Sequence, residues 1–243
     1  MTSRNLASFG TAVVTGAASG IGRALAMRLA AAGTRLVLGD VQASALDDVA
    51  TALGATAVRT DVADPTSMEA LAAAAPDARF VCLNAGVVGT ALGAPWEVDP
   101  QEWDRVFATN VGGVVNGLRA FAPRLLASGR PGHIVITASL AGLATFRGGG
   151  AYGASKHAVV AVAEQAALAL GGTGIGVTVL CPALVRTAMS PVGDDPTDVA
   201  DQALRAAAEG RFVVVPEPWH PAIRQRAERL VSGLPPTPPT SSP

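Results

Sequence analysis

Short apolar runs alternate with longer Ala- and Leu-rich stretches along most of the chain. The short runs are continuous rather than alternating in polarity, which is typical of parallel strands covered on both faces. They predict seven strands, at 11–15, 35–39, 55–60, 79–83, 133–137, 175–180 and 211–215. The longer stretches predict helices at 20–32, 43–53, 65–75, 100–126, 152–170, 197–209 and 221–231.

This order of elements predicts the α/β class, with a doubly wound parallel sheet of about seven strands and helices on both faces. No linker or shift in composition divides the body of the chain, so we predict a single domain at 1–232. Residues 233–243 are mostly Pro, Thr and Ser and are predicted to form a disordered tail.

Composition excludes several classes of protein. Among 243 residues, 49% are hydrophobic and 15% charged, which argues against a disordered chain. The formal net charge of −1 leaves no basic surplus to neutralise a nucleic acid. Two cysteines are too few for a disulfide framework, and no signal peptide or membrane span is recognisable, so a cytoplasmic location is expected. The three histidines lack metal-ligand spacing, and no metal site is predicted.

A glycine-rich loop, Thr15-Gly-Ala-Ala-Ser-Gly-Ile-Gly22, joins the first strand to the first helix. Gly16, Gly20 and Gly22 allow a tight turn and a close approach of the backbone to a pyrophosphate, and Ser19 and Ile21 lie in the same turn. The following helix directs its free N–H groups and the positive end of its dipole at that anion. Such loops are often plain turns, but a position between strand and helix favours dinucleotide binding.

Asp40 ends the second strand, eighteen residues after Gly22. A carboxylate there accepts hydrogen bonds from ribose hydroxyls and repels a 2′-phosphate. Val41 and Gln42 follow, so no adjacent cation is available to bind that phosphate. The sequence therefore favours NAD over NADP, although Asp40 by itself is also an ordinary residue for a strand end.

Two further polar segments follow strand ends. Asp61 and Val62 come after the third strand, where they are candidates to border the adenine. Asn84, Ala85 and Gly86 come after the fourth strand, where they are candidates to line the cofactor cleft. Either segment also suits a simple turn.

Tyr152 is the single tyrosine and Lys156 the single lysine of the chain. Four residues apart on a predicted helix, they share one face. Together with the glycine loop, Asn84-Ala85-Gly86, Asn110 and Ser139, this pair resembles the short-chain dehydrogenase/reductase family over nearly the entire chain.

The resemblance implies a Rossmann-like fold and four catalytic residues. Tyr152 would act as the acid/base, and Lys156 would lower the pKa of that phenol and bind the nicotinamide ribose. An ammonium about 4 Å away stabilises a phenolate by roughly 4 kcal/mol, enough to bring a pKa of about 10 towards neutrality. Ser139 would hold the substrate oxygen, and Asn110 would anchor a water that links Lys156 to solvent.

The segment that follows the sixth strand adds to the resemblance, which implies that Pro182, Val185 and Thr187 contact the cofactor. Ala183 stands where the family usually has glycine, which leaves the local backbone geometry open. The function implied is NAD-dependent interconversion of a secondary alcohol and its ketone. Candidate pocket walls at 87–96, 140–146 and 183–192 are largely apolar, which favours a hydrophobic, cyclic or aromatic substrate.

Two alternatives remain open at this point: a non-redox dehydratase or lyase on the same fold, and a nucleotide-binding sensor without turnover. The helices at 100–126 and 152–170 are apolar beyond one narrow stripe. They predict a homo-oligomer, either a dimer or a homotetramer, unless the additional apolar surface packs within one subunit.

Overall fold

The computed structural model describes residues 10–239 and shows a single parallel sheet between two layers of helices. The strands are β1 (Thr11–Thr15), β2 (Arg35–Asp40), β3 (Thr56–Arg59), β4 (Ala78–Leu83), β5 (Gly132–Thr137), β6 (Ile175–Leu180) and β7 (Val213–Val214). The α-helices are α1 (Gly20–Ala31), α2 (Ala43–Leu53), α3 (Pro65–Ala73), α4 (Pro100–Phe107), α5 (Gly113–Ala127), α6 (Gly150–Ala169), α7 (Pro196–Glu209) and α8 (His220–Val231).

The strand order is β3-β2-β1-β4-β5-β6-β7, and every neighbouring pair is parallel. The order reverses between β1 and β4, so the connections leave the sheet in opposite directions there. In open α/β sheets, ligands bind in the crevice that this reversal opens at the carboxyl ends of the strands. The predicted doubly wound, Rossmann-like fold is confirmed.

Each face of the sheet has its own apolar core. On one face, α1, α2 and α7 cover the strands through side chains such as Leu29, Leu46 and Leu204. On the other face, α3, α5 and α6 do so through side chains such as Leu71, Phe121 and Val159. Because both faces are buried, the strands contain no alternating polar positions.

The helix predicted at 100–126 is not one regular helix. A π-helical turn at Ala108–Gly112 separates α4 from α5 and contains Asn110. Such a turn adds a residue to the helix and is often found at functional sites. The pair Gly112-Gly113 at its end lowers the local preference for α-helix.

Two other elements differ from their predicted extent. The strand predicted at 211–215 forms a ladder only at Val213–Val214, because Pro216 lacks an N–H group to continue it. Of the predicted tail at 233–243, residues 240–243 lie outside the described residues. Residues 233–239 have no regular secondary structure, and Arg229 Nε donates to the carbonyl of Pro235 at 2.7 Å.

Candidate active site

The glycine-rich loop after β1 is shaped by glycines that no other residue replaces easily. Gly16 and Gly20 have positive φ angles of 67° and 52°. A Cβ atom on Gly22 would lie 2.0 Å from the carbonyl oxygen of Gly16. Ser19 precedes α1 without capping it through its side chain, which leaves the first N–H groups of α1 without a side-chain acceptor. This geometry suits a phosphate at the N-terminus of α1.

Asp40 lies against this loop with only 8% of its surface exposed. Its carboxylate accepts hydrogen bonds from the backbone N–H groups of Ala18 and Gln42, both at 3.0 Å. A buried negative charge therefore stands beside the loop, where the sequence predicts the ribose of the cofactor.

A hydrogen-bond network holds the carboxyl ends of β1, β4 and β5 together. The hydroxyl of Thr15 accepts from the N–H groups of Asn84 and Ala85, at 2.9 and 3.1 Å. Asn84 Nδ2 donates to the carbonyl of Thr15 at 3.1 Å, and its Oδ1 accepts from the hydroxyl of Thr137 at 3.0 Å. The side chain of Asn84 thus joins the ends of three strands. Thr15 and Thr137 take part in the same network, which the sequence did not reveal.

Asp61 and Val62 lie near the same edge, but their side chains are engaged elsewhere. The exposed carboxylate of Asp61 accepts from the N–H of Ala63 at 2.9 Å. Val62 is buried against Gly113 of α5. A Cβ atom added to Gly113 would lie 2.6 Å from a methyl group of Val62. Asn116, which sequence reasoning missed, donates to the carbonyl of Val62 at 3.0 Å. The side chain of Val62 is therefore not available to border a ligand.

Asn110 connects the segment after β4 to helix α6. Its Oδ1 accepts from the N–H of Val87 at 2.8 Å, and its Nδ2 donates to the carbonyl of Val87 at 2.9 Å. The same Nδ2 donates to the hydroxyl of Ser155 at 2.9 Å, and that hydroxyl donates to the carbonyl of Tyr152 at 2.8 Å. Asn110 is 1% exposed, so its amide is a positioning group for both segments.

Tyr152, Lys156 and Ser139 lie together at the carboxyl ends of β5 and β6. Lys156 is 4% exposed, and its Nζ donates to the carbonyl of Thr137 at 3.1 Å. The same Nζ is 5.8 Å from the centre of the Tyr152 ring. The Ser139 hydroxyl is hydrogen-bonded to the Tyr152 side chain and accepts from the N–H of Ala141 at 3.1 Å.

Close backbone approaches connect this group to the glycine loop. A Cβ on Gly16 would lie 2.9 Å from the Cα of Ala85, and one on Gly86 would lie 3.3 Å from Nζ of Lys156. A Cβ on Gly20 would lie 3.0 Å from a methyl group of Thr187. The structure therefore brings the loop, the segment after β4, Lys156 and Thr187 to one cleft.

The ionisation of Tyr152 and Lys156 depends mainly on their burial. Burial raises the pKa of Tyr152, and the hydrogen bond from Ser139 offsets only part of this rise. Burial also lowers the pKa of Lys156 to about 8. In the chain alone, desolvation is therefore the largest effect on the Tyr152 pKa, and the lowering of that pKa by Lys156 stays a prediction.

Because Tyr152 is the single tyrosine, its ionisation can be followed directly by ultraviolet absorbance of the phenolate. We expect the midpoint in the protein alone to lie above the ordinary value of about 10. Addition of NAD is expected to lower it, because the oxidised nicotinamide ring carries a positive charge. A midpoint well below 10 without cofactor would contradict the structure.

The segment after β6 contributes to the cleft mainly through its backbone. Pro182 is buried, and its carbonyl accepts from the N–H of Leu140 at 2.8 Å. Among the described residues, only glycines have a positive φ angle. Ala183 therefore stands where the family usually has glycine without backbone strain. Val185 packs its side chain into the core, which leaves only its backbone to contact a cofactor.

Cys181 lies beside the catalytic candidates but is unsuited to react. Burial raises its pKa to about 12, against the smaller opposing effects of the N–H of Ser139 and the charge of Lys156. The thiol therefore remains protonated at neutral pH.

Several apolar side chains of the predicted pocket walls are exposed. Leu92, Leu184 and Met189 belong to the predicted pocket walls and are largely exposed. Phe146 packs edge-on against Trp219 of the turn before α8, with ring centres 5.7 Å apart. Sequence reasoning missed Trp219, because nothing along the chain indicates that α8 returns to this segment.

A contact between the segment after β5 and α6 positions Ser139 relative to Lys156. A Cβ on Gly142 would lie 2.4 Å from the backbone carbonyl oxygen of Lys156. Gly142→Ala is therefore expected to displace the turn and to destabilise the protein by about 1–3 kcal/mol, with reduced turnover.

Gly153→Ala is the matched control for this substitution, because nothing lies within 4 Å of the added Cβ. In α6 it is expected to stabilise the protein by about 0.5–1 kcal/mol. Denaturant unfolding of both variants checks the pair of expectations, and equal stability would contradict them.

The comparisons with known proteins agree with this geometry. A sequence model of the family described as short chain dehydrogenase matches residues 10–196. The chain belongs to the short-chain dehydrogenase/reductase family. A crystal structure of a short-chain dehydrogenase/reductase from Burkholderia phymatum in complex with NAD is similar, with a TM-score of 0.88 and 37% identity over 95% of this chain and 97% of that one.

Two characterised relatives are dehydrogenases. The 1-deoxy-11-beta-hydroxypentalenate dehydrogenase of Streptomyces avermitilis is 48% identical over 74% of this chain and 70% of its own length. The 2-(R)-hydroxypropyl-CoM dehydrogenase of Xanthobacter autotrophicus is 36% identical over 79% and 81%. This short-chain dehydrogenase/reductase is therefore an oxidoreductase that acts on CH–OH groups and uses a nicotinamide cofactor.

Two other features are absent from residues 10–239. No helix in that range is both long and apolar enough to cross a membrane. Within the same range, no group of three or more His, Cys, Asp or Glu side chains is arranged to hold a metal ion.

Proposed function

We propose that this enzyme interconverts a secondary alcohol of an apolar, ring-built molecule and its ketone, with NAD as the cofactor. The observation that carries the proposal is the meeting of Tyr152, Ser139 and the buried Lys156 at the same cleft as the glycine loop. A phenol, a hydroxyl group and a buried ammonium brought together in this way favour acid–base chemistry at a hydroxyl group.

The described residues fit a bound dinucleotide. The positive φ at Gly16 and Gly20 and the free N–H groups of α1 suit a pyrophosphate, and Asp40 suits ribose hydroxyls. Pro182 contacts the segment after Ser139, and Thr187 lies beside Gly20 of the glycine loop, so both suit the nicotinamide end. When bound, the nicotinamide supplies the acceptor or donor of the hydride.

The chain's own residues handle the proton. In the oxidative direction, Tyr152 acts as the phenolate and takes the hydroxyl proton while the C–H electron pair leaves the carbon as hydride, so that the alcohol becomes a ketone and Tyr152 becomes a neutral phenol, which then releases the proton to solvent. Ser139 donates a hydrogen bond to the substrate oxygen and holds it near the phenol. The positive charge of Lys156 stabilises the phenolate.

The preference for NAD is assigned to Asp40. Its buried carboxylate repels a 2′-phosphate, and Ala18 and Gln42 fix its position through backbone hydrogen bonds. We expect Asp40→Asn, which keeps an amide oxygen but removes the charge, to narrow the preference for NAD over NADP by about tenfold or more, because like charges brought together cost several kcal/mol.

Cofactor titrations with both dinucleotides check this expectation. Asp47→Asn, in an exposed carboxylate on α2, is the matched control and should leave the ratio unchanged. An existing preference for NADP in the unmodified protein would show that Asp40 has another role.

An apolar substrate is supported by the walls of the cleft. Leu92, Leu184 and Met189 of the predicted pocket walls are largely exposed, and a hydrophobic ligand that covers them would remove apolar surface from water. The Streptomyces avermitilis relative is named as a 1-deoxy-11-beta-hydroxypentalenate dehydrogenase, so its name gives a hydroxylated substrate. A similar substrate class for this chain, a hydroxyl group on an apolar ring system, agrees with both observations.

A panel of cyclic and acyclic secondary alcohols with NAD and NADP tests the proposal, with the absorbance of the reduced nicotinamide as the readout. We expect cyclic apolar alcohols with NAD to give the highest kcat/KM. Product formation with no change in the cofactor would favour the lyase alternative. Cofactor binding without turnover of any alcohol or ketone would favour the sensor.

We also propose a homo-oligomer, either a dimer or a homotetramer, through the helices at 100–126 and 152–170, and a cytoplasmic location. Val159 and Ala163 of α6 face the core of the subunit, whereas Leu168 is 83% exposed. Light scattering of the purified protein distinguishes a monomer from these assemblies.

A further inference from the structure

A cavity of about 220 Å³ lies between the segment after β5 and helix α8. Ala144 and Thr145 form one wall, α8 forms another, and Leu234, Pro236 and Pro239 close it. None of Ser139, Tyr152 and Lys156 lines the cavity, so it is separate from the catalytic group.

Two guanidinium groups give this cavity its charge. Arg226 and Arg229 line it from α8, and no acidic residue lines it within the part of the chain that the structure describes. Neither arginine takes part in the six ion pairs found among residues 10–239. In a chain of net charge −1, this is a local excess of positive charge.

The two arginines are partly buried, so this excess positive charge is partly removed from water. Arg226 and Arg229 are half-buried, whereas Arg224 on the same helix is exposed and does not line the cavity. Partial removal of a guanidinium from water without a counter-charge is unfavourable, and a bound anion removes that penalty. Arg229 uses Nε for the carbonyl of Pro235, which orients the group and leaves its terminal nitrogens for a ligand.

The rest of the lining indicates what else the ligand carries. Ala144, Ala222, Leu230 and Leu234 are apolar and lie beside the polar Thr145, Gln225 and Thr237, so the space suits a carboxylate attached to a largely hydrocarbon body. Arginine binds carboxylates with paired, charge-assisted hydrogen bonds.

The cavity and the catalytic group share one segment of chain. Ser139 begins the segment that supplies Ala144 and Thr145, and the 3₁₀ turn at Leu140–Gly142 lies between them. This segment is coiled rather than extended, because the N–H of Ala144 donates to the carbonyl of Leu140 at 2.9 Å, and five residues of helix rise only about 8 Å. Phe146, the next residue, packs on Trp219 and so attaches α8 to the wall of the cleft. The cavity and the catalytic group are therefore close enough for one ligand to reach both.

We propose that Arg226 and Arg229 bind a carboxylate of the substrate and make the enzyme selective for hydroxy acids with an apolar ring body. This inference rests on the proposed function, since it assigns the second end of the molecule whose hydroxyl group reaches Tyr152. It makes the two arginines specificity-determining residues that take no part in the hydride or proton transfer.

The test compares acids with their neutral esters. 4-Hydroxycyclohexanecarboxylate and 6-hydroxydecalin-2-carboxylate are assayed with NAD beside their methyl esters. In the unmodified enzyme, kcat/KM is expected to be at least tenfold higher for an acid than for its ester. Arg226→Gln and Arg229→Gln are each expected to reduce this ratio about tenfold, mainly by raising KM for the acid.

Arg224→Gln is the matched control, because it removes the same charge from the same helix outside the cavity. It is expected to leave the ratio of acid to ester within about twofold of the unmodified enzyme. The proposal is overturned if the unmodified enzyme does not distinguish acid from ester, if acid and ester lose activity equally, or if Arg224→Gln has the same effect as the other two.

A binding measurement separates this proposal from the proposed function. Calorimetric titration with 4-oxocyclohexanecarboxylate and 6-oxodecalin-2-carboxylate, beside their methyl esters, needs no turnover. If no alcohol is oxidised but a keto acid binds, and binding is lost in Arg226→Gln and Arg229→Gln alone, the cavity is an anion site and the proposed function fails. If alcohols are oxidised and neither keto acid binds more tightly than its ester, the function stands and the carboxylate site is refuted. If nothing is oxidised and nothing binds, both are refuted.

Discussion

Tyr152→Phe is expected to lower the turnover of any alcohol substrate by about 10²–10⁴-fold, the range that general acid–base catalysis contributes. Phenylalanine keeps the ring and its packing but has no hydroxyl group to exchange a proton with the substrate. Because Tyr152 is the single tyrosine of the chain, no second phenol can replace it. Initial rates measured as absorbance of the reduced nicotinamide give the loss directly.

The affinity of the same variant for NAD separates catalysis from binding. The glycine loop and Asp40 are unchanged, so the dissociation constant of NAD is expected to stay within about threefold of the unmodified enzyme. Ser139→Ala, which removes the hydrogen bond to Tyr152 but leaves the phenol, should cost less turnover than Tyr152→Phe. Turnover of Tyr152→Phe above about a tenth of the unmodified rate would remove Tyr152 from the mechanism.

Lys156→Met is expected to make the protein more stable while it loses activity. Burial lowers the pKa of Lys156 from its ordinary 10.5 to about 8, a difference that corresponds to about 3 kcal/mol. A neutral side chain of similar length avoids the cost of burying this charge. The free energy of unfolding at pH 7 can therefore rise by at most about 3 kcal/mol. Without the ammonium, the phenolate of Tyr152 loses its nearest cation, and kcat/KM is expected to fall by two orders of magnitude or more.

The pH dependence of this stability difference has a definite sign. Below pH 8 the lysine is charged in both the folded and the unfolded chain, so the full cost of burying the charge is present. Between pH 8 and 10.5 the folded chain binds fewer protons than the unfolded chain, so the stability contributed by Lys156 rises with pH. The advantage of Lys156→Met should therefore shrink across that window.

Denaturant unfolding of both proteins from pH 7 to 10.5 measures the difference, because titration of the other groups cancels between them. Lys156→Arg is the companion variant. Its larger guanidinium cannot lose its proton and does not fit the space of the lysine, so we expect it to be both inactive and less stable than the unmodified protein. A Lys156→Met variant that is less stable than the unmodified protein at pH 7 would show that the ammonium is better solvated than its burial indicates.

The elements of the fold were predictable because their signals are local. Continuous apolar runs ended by Gly, Asp or Asn mark the parallel strands, and Asp64-Pro65 marks the start of α3, where the Asp64 carboxylate accepts from the N–H of Thr66 at 2.9 Å. The extent of β7 and the π turn around Asn110 were not predictable. Both depend on which backbone hydrogen-bond partners the neighbouring elements leave available.

The candidate site was predictable as a set of residues but not as an arrangement. The pattern of Asn110, Ser139, Tyr152 and Lys156 could be recognised along the chain, and the structure brings all four to one cleft. The side-chain contacts of Val62 and Val185 were not foreseen, because whether a valine faces a ligand or the core depends on the packing of α5 and α7. That Ala183 has an unstrained backbone conformation likewise became evident only from the structure.

The sequence by itself determined the layered parallel sheet, the glycine-rich turn after β1 and the set of candidate catalytic side chains, since each has a recognisable pattern along the chain. Only the tertiary structure decided the ionisation of Tyr152 and Lys156 and the return of α8 to the segment after β5. Both depend on how much water the distant parts of the chain exclude from a given side chain, and that quantity is a property of the packed molecule.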